Sequence, residues 1–183
     1  MNKYITNMPV VLSKTVCLLF FGGLIGQVNL SAQGVLLTNS NFQTAVDLWF
    51  SDQASAISTY GHIKDWNVSG VTSMSKAFKD RTDFNEDISG WDVSNVQIMH
   101  MMFSGASVFN RPIGSWDTSS TLNMAHMFMN ASSFNKSIGN WNLSSAVNLF
   151  AMFEGATSFN SSSDKWNVSM VTDVRRMFLG ATS

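Results

Sequence analysis

The chain has 183 residues, a formal net charge of -1, 13% charged and 45% hydrophobic residues, and a single cysteine. That length builds one domain with a sizeable core, and the near-neutral balance lacks the basic footprint of a phosphate-backbone binder. One cysteine excludes an intramolecular disulfide and any zinc site built on thiols, while twelve Met, fourteen Phe and six Trp beside two Pro call for an explanation by position.

Residues 1–32 read as an export signal. Lys3 and Lys14 precede the apolar run Val16 to Ile25, and polar Gln27 and Asn29 lead to the small residues Ser31 and Ala32, the order of a secretory leader cleaved after Ala32. The run falls short of the roughly 20 apolar residues that span a bilayer, and Gly22, Gly23 and Gly26 weaken it further. Ahead of Cys17 stands Lys14, where a lipidation box needs small apolar residues, which disfavours a lipid anchor.

Residues 33–62 read as an N-terminal cap helix and its lead-in. Between Asn41 and Ile57, the side chains of Phe42, Ala45, Val46, Trp49 and Phe50 share one helical face, with Asn39 or Ser40 as the N-cap and Tyr60-Gly61 as the stop. An open repeat array exposes an apolar end, and an atypical amphipathic helix ahead of the first copy seals it.

Residues 63–183 hold five copies of a 25-residue repeat, the last incomplete. Trp66, Trp91, Trp116, Trp141 and Trp166 recur without one insertion or deletion, and Phe78, Phe103, Phe128, Phe153 and Phe178 keep the same step. So do Ser69, Ser94, Ser119, Ser144 and Ser169, and the pairs Phe84-Asn85, Phe109-Asn110, Phe134-Asn135 and Phe159-Asn160. A fixed period of this size predicts an α/β, leucine-rich-repeat-like solenoid of strand-helix repeats, in which each unit is stabilised by its neighbours and an insertion pushes a layer out of line.

Within one copy, Ile88, Trp91 and Val93 follow the spacing L-x-x-L-x-L of an inner-wall strand. Ser94 then caps a helix, with Gln97 completing a capping box, and Val96, Met99, Met102, Phe103 and Ala106 recur at near-helical spacing until Ser104-Gly105. Phe109 points inward in the following turn, and Asn110 and its equivalents satisfy main-chain groups there. Met74, Met99, Met124, Met102, Met127, Met152 and Met177 fill gaps on the phenylalanine face; Leu149 and Val174 replace Met at equivalent places, a swap that packing tolerates and soft-metal ligation does not. The tryptophans read as a buried ladder rather than a stacking platform for sugars or bases, because they alternate with Ile and Val. At Ser183 the sequence stops one residue short of the place where Phe159 would recur. No polar cap follows, so the expectation is a fragment of a longer array, or a last coil covered by a partner or a second copy.

The run W-D-V-S-N-V-Q-I-M-H-M-M-F-S-G-A-S-V-F-N from Trp91 to Asn110 resembles the repeat of the BspA-family leucine-rich-repeat surface proteins, including the group described from mycoplasma surface lipoproteins. The segment from Ala45 to Trp66 resembles the one that opens such arrays. The resemblance implies exported, cell-surface or extracellular modules associated with adhesion or protein binding, with no catalytic residues to transfer. Three departures stand out: Ser163 in place of Ile88, Ile113 and Ile138; Thr118 and Thr121 in place of valines; and Asp80-Arg81 in place of the Gly-Ala pair.

No enzyme pattern emerges. His62, His100 and His126 pair with no nucleophile, and no dinucleotide, phosphate-loop or zincin motif occurs. His100 and His126, on adjacent predicted helices, read as a solvated pair rather than a metal site. Asp80, Asp83, Glu86 and Asp87 form an acidic turn whose resemblance to a calcium loop fails at Ile88, where that loop needs glycine. The expectation is therefore a secreted or cell-surface protein without catalytic, cofactor or metal residues, binding a protein or other surface macromolecule and neither nucleic acid nor a small-molecule substrate. Asp92, Asp117, Asn142 and Asn167 are its candidate binding face. The alternative is a structural spacer or a segment self-associating through the C-terminal coil, which concentration-dependent growth would reveal.

Overall fold

The computed structural model describes residues 34–183, so the export signal expected over residues 1–32 lies outside the described residues. Strand β1, Leu36–Thr38, pairs in parallel with β2, Asn67–Gly70, placing Leu36 opposite Asn67 and Thr38 opposite Gly70. Between them run helix α1, Phe42–Ser51, helix α2, Gln53–Tyr60, and a single 3-10 turn at Ile63–Asp65.

The one helix expected between Asn41 and Ile57 is two. Asp52 leaves helical space at φ -153° and ψ 85°; its N–H still bonds the Leu48 carbonyl, while its carboxylate accepts the Ser55 N–H at 3.0 Å and opens α2. Neither expected cap is used. Asn39 instead accepts the N–H groups of Thr72 and Ser73 at 2.9 and 3.1 Å, fastening the lead-in to the first repeat, and α1 starts after Asn41. The inward face of α1 is the predicted one, with Phe42, Ala45, Val46 and Trp49 buried. Trp49 meets Trp66 edge-on at 6.0 Å, and Phe50 meets Phe84 at 5.8 Å. The buried Phe42 and Phe84 side chains each contribute about 1.5–3 kcal/mol by leaving water.

In the repeats the strand-helix expectation is corrected. Among the described residues no α-helix follows Tyr60, and the segment from Ile88 to Val93 forms no strand. Alternate backbone N–H groups leave their own coil: Met74, Lys76, Phe78 and Asp80 donate to the carbonyls of Ile98, His100, Met102 and Ser104 at 2.7 to 2.9 Å. The same four bonds recur from Met99, Met101, Phe103 and Gly105, from Met124, His126, Phe128 and Asn130, and from Leu149, Ala151, Phe153 and Gly155. A helix would need those donors for carbonyls four residues back. The donors between them close short turns, as Ala77 to Met74 and Lys79 to Lys76 do.

This zigzag requires left-handed backbone at one position per copy, and Lys76, Met101, His126, Ala151 and Arg176 all adopt φ between 52° and 62°. Ladder pairing shrinks to single parallel bridges that link Ser73, Ile98, Asn123, Asn148 and Asp173 in turn. Ile88, Trp91 and Val93 are buried as the strand template demanded, but turns hold them: Trp91 donates to Ile88 at 3.1 Å and Val96 to Val93 at 2.8 Å.

A second left-handed position explains the Asp80 departure. Asp80, Gly105, Asn130, Gly155 and Gly180 all have φ between 58° and 74°, a region open to glycine and next to Asn and Asp. From Asp80 to Gly155 side chain and glycine alternate, since a Cβ on Gly105 would lie 2.4 Å from the Asp80 carboxylate and one on Gly155 would lie 2.3 Å from the Asn130 amide oxygen.

The interior is built from rows of like residues. Trp66, Trp91, Trp116 and Trp141 are buried, and the rings of Trp116 and Trp141 lie 6.5 Å apart and 2° from parallel. Phe78, Phe103, Phe128, Phe153 and Phe178 stack at 5.4 to 5.5 Å. Indole N–H groups cross between coils: Trp91, Trp116 and Trp141 donate to the carbonyls of Ile63, Ile88 and Ile113 at 2.9 to 3.2 Å. The expected asparagine ladder is present, with the side-chain oxygens of Asn85, Asn110 and Asn135 each accepting the N–H of the next asparagine at 2.9 to 3.0 Å. Thr118 and Thr121 stay buried because their hydroxyls donate to Asn142 and Val96 carbonyls at 3.0 and 2.8 Å, which offsets the cost of taking a hydroxyl out of water.

Candidate recognition surfaces

A 25-residue step converts each sequence position into a row, and three surface features follow. The first is the predicted face. Asp92, Asp117, Asn142 and Asn167 are exposed in successive copies, and each side-chain oxygen accepts the N–H of the serine two residues on, at 3.0 to 3.1 Å. Asn67 does the same for Ser69. These are Asx turns, so the row has a structural task, and each residue retains an outward oxygen or amide group. Hydrogen bonds from Ser119, side chain and backbone, hold the Asp117 carboxyl below the usual carboxylate range.

The second feature lies along the parallel bridges, in the segment assigned to a helix from sequence. Here His100, Phe150 and Arg175 occupy equivalent places in different copies and, with Asn123, Ala125, His126, Asn148 and Asp173, line an open depression of about 290 Å³. Asn123 and Asn148 accept the N–H groups of Ala125 and Phe150, both at 2.9 Å. Asp173 grips the Arg175 guanidinium twice, at 2.9 and 2.8 Å, and places it 5.4 Å from the Phe150 ring centre.

The two histidines do meet, although on turns rather than helices. Their ring centres are 5.8 Å apart, His100 Nδ1 lies 3.1 Å from the Ala125 carbonyl, and the His126 ring stands 4.9 Å from that of Phe150. Burial first, and His100 second, push the His126 imidazole below its ordinary range. Ile98 on the bridge row, and Leu122 and Val147 each one residue before it in their coils, expose 38%, 41% and 37% of their surface. Three exposed aliphatic side chains in consecutive coils are more than solvation asks for. Sequence reasoning missed this surface because near-helical spacing was read where the backbone zigzags; the copy-to-copy variation at His100, Ala125 and Phe150 was the available signal.

The third feature is the acidic turn. Asp83 and Glu86 border a depression of about 260 Å³ with Trp49, Phe50, Gln53, Phe84 and Asn85. Arg81 lies 4.2 Å over the Phe50 ring and reaches Asp47 at 3.5 Å. Ser89 hydrogen bonds hold the Asp87 carboxyl below its usual range. The turn thus clasps α1. Among the described residues, no three His, Cys, Asp or Glu side chains come together in a way that could hold a metal ion, and no helix is long and apolar enough to cross a membrane.

Residues 44–156 and 113–183 match the model of the family described as "Mycoplasma protein of unknown function, DUF285". No curated protein and no solved structure matches the chain.

Proposed function

Given that this chain belongs to the DUF285 family of mycoplasma proteins, we propose that it is an exported, non-catalytic repeat protein of the BspA leucine-rich-repeat type that binds another macromolecule at the cell surface. In this reading residues 1–32 direct export, α1 and α2 cap the array, and the 25-residue copies form a leucine-rich-repeat-like solenoid of coils in place of strand-helix units. The observation that carries it is the contrast between interior and bridge side. The aromatic interior rows, Trp66 to Trp141 and Phe78 to Phe153, repeat one residue type and the aliphatic ones exchange only small or apolar residues, whereas the bridge side changes in character from copy to copy and exposes Ile98, Leu122 and Val147. Uniform rows answer to packing; a varied, partly apolar strip suits recognition of one partner. The depression beside the bridges is open and shallow, a shape that suits contact with a large partner.

The test pairs display with binding. Cells carrying the full chain are shaved with an impermeant protease, and beads coated with purified chain are scored for attachment to host cells. Surface cleavage is expected, together with a fall of at least about fivefold in attachment when Ile98, Leu122 and Val147 are all replaced by serine. Replacing Asp92, Asp117, Asn142 and Asn167 by alanine reads the turn row separately. A protected chain, or attachment indifferent to both sets, removes the proposal.

A further inference from the structure

One row of the bridge side has a gap in it. His100, Ala125 and Phe150 take equivalent places in three consecutive coils, and Ala125, which is buried, leaves a space between the larger side chains on either side. Coils bridged in parallel lie about 4.8 Å apart, so His100 and Phe150 stand about 10 Å from each other, room for one short side chain between them. All three residues line the depression of about 290 Å³.

That lining offers donors, and its acceptors are already engaged. Every backbone carbonyl of the residues around the depression accepts a backbone N–H, at 2.8 to 3.1 Å. The side-chain oxygens of Asn123 and Asn148 accept the N–H groups of Ala125 and Phe150, and Arg175 holds both Asp173 oxygens. Among the described residues, the Nδ2 groups of Asn123 and Asn148 and the N–H of His100 meet no acceptor. The His100 case has a cause in the sequence. Ser73, Asn123, Asn148 and Asp173 each accept the N–H two residues on, and Ile98, in the same row, has no atom to do so. His100 Nδ1 donates to the Ala125 carbonyl at 3.1 Å, which leaves Nε2 to take up a proton.

A depression rich in donors and poor in acceptors selects an oxyanion. Ile98, Leu122 and Val147 expose apolar surface on this side, which aliphatic side chains of a peptide cover better than a sugar chain does. We propose that the gap over Ala125 holds an aspartate or glutamate carboxylate of an acidic, aliphatic-bearing peptide segment of the partner, bound by the His100 N–H and the Asn123 and Asn148 amides. This rests on the bridge side being the recognition face and names the chemistry of what it recognises. The imidazoles of His100 and His126, 5.8 Å apart, add positive charge as pH falls. Burial and His100 hold His126 below its ordinary range in the free chain, so a bound carboxylate favours its protonation and affinity rises toward acid. The other charged side chains in the adjoining rows are Lys76, Arg175 paired with Asp173, and Arg176 paired with Glu154; all stay ionised between about pH 6 and about pH 7.5.

The experiment pans a phage library of random peptides against the immobilised full chain and synthesises an enriched peptide with a fluorescent label. Enrichment of glutamate or aspartate beside an aliphatic residue is expected, with a Kd at least about threefold lower at about pH 6 than at about pH 7.5. Replacing the peptide's acid by its amide should raise Kd at least about tenfold. Ala125→Phe fills the gap with the side chain that Phe150 carries in the next coil and should weaken binding by a similar factor, while His100→Gln with His126→Gln should flatten the pH dependence. Hydrogen exchange at the His100 amide of the unaltered chain should slow when peptide is added, a readout that needs no variant to fold. Enriched peptides without acids, binding indifferent to pH or to Ala125→Phe, unchanged exchange at His100, or displacement by an equal concentration of inorganic phosphate or glucuronate overturns the proposal. Bead attachment lost in the Ile98, Leu122 and Val147 variant with no acidic preference here would remove the carboxylate and leave the bridge side as the recognition face.

Discussion

Glycine at position 105 answers to two constraints at once. Its φ of 73° lies where a Cβ is strained, and the Asp80 carboxylate occupies the place that a Cβ would take, 2.4 Å away. Gly105→Ala is therefore expected to destabilise the protein by about 1–3 kcal/mol, measured by urea unfolding. Loss below a few tenths would show that the carboxylate moves aside freely. The Asp80-Arg81 pair, read from sequence as an irregularity, is part of the regular device: a side chain in one copy lies over a glycine in the next. Sequence spacing made the row visible, but backbone handedness at a row depends on neighbouring coils and is written in no single copy.

At the scale of one coil, the tryptophan is both wedge and tether. The Ile88 carbonyl accepts the Trp91 N–H at 3.1 Å within its coil and the Trp116 indole at 3.2 Å from the next, using both lone pairs. Trp116→Phe should cost about 2–4 kcal/mol, from the lost bond and the smaller ring in a closed interior. Trp166 makes the same bond to Ile138 at 3.1 Å but is only partly buried, so Trp166→Phe should cost less than half as much by thermal or urea unfolding; equal costs would mean that burial does not set the scale. The buried set at Ile88, Trp91, Val93, Met99 and Phe103 was legible in the sequence, as were the inward face of α1 and the asparagine ladder. Strand and helix inside the copy were not. A turn-rich coil buries residues at intervals that imitate a helix, and its N–H groups go to partners one period away, where local propensity carries no information. The bridge-side surface was lost with the helix assignment, and the Asp92 row was found for its exposure while its Asx turns went unread.

Across the whole array, register is the controlling quantity. Excising residues 131–155 removes one period and leaves the left-handed row as Asp80, Gly105, Asn130 and Gly180, with side chain and glycine alternating throughout. That protein should unfold cooperatively, with a smaller urea m value in keeping with the surface removed. Excising residues 132–155, one fewer, shifts Trp166 and everything after it against the coils below and should abolish cooperative unfolding. If both shortened chains melt alike, layer matching is not what holds the copies together. One property of the stack reaches beyond stability. Four amides per junction point toward the later coil through four successive junctions, while one to three others point back, as Gln97 and Ile98 do to the Thr72 carbonyl, so their peptide dipoles cancel only in part. The array keeps a net polarity, electropositive toward its later coils, and each coil of this type lengthens that dipole without changing its sign.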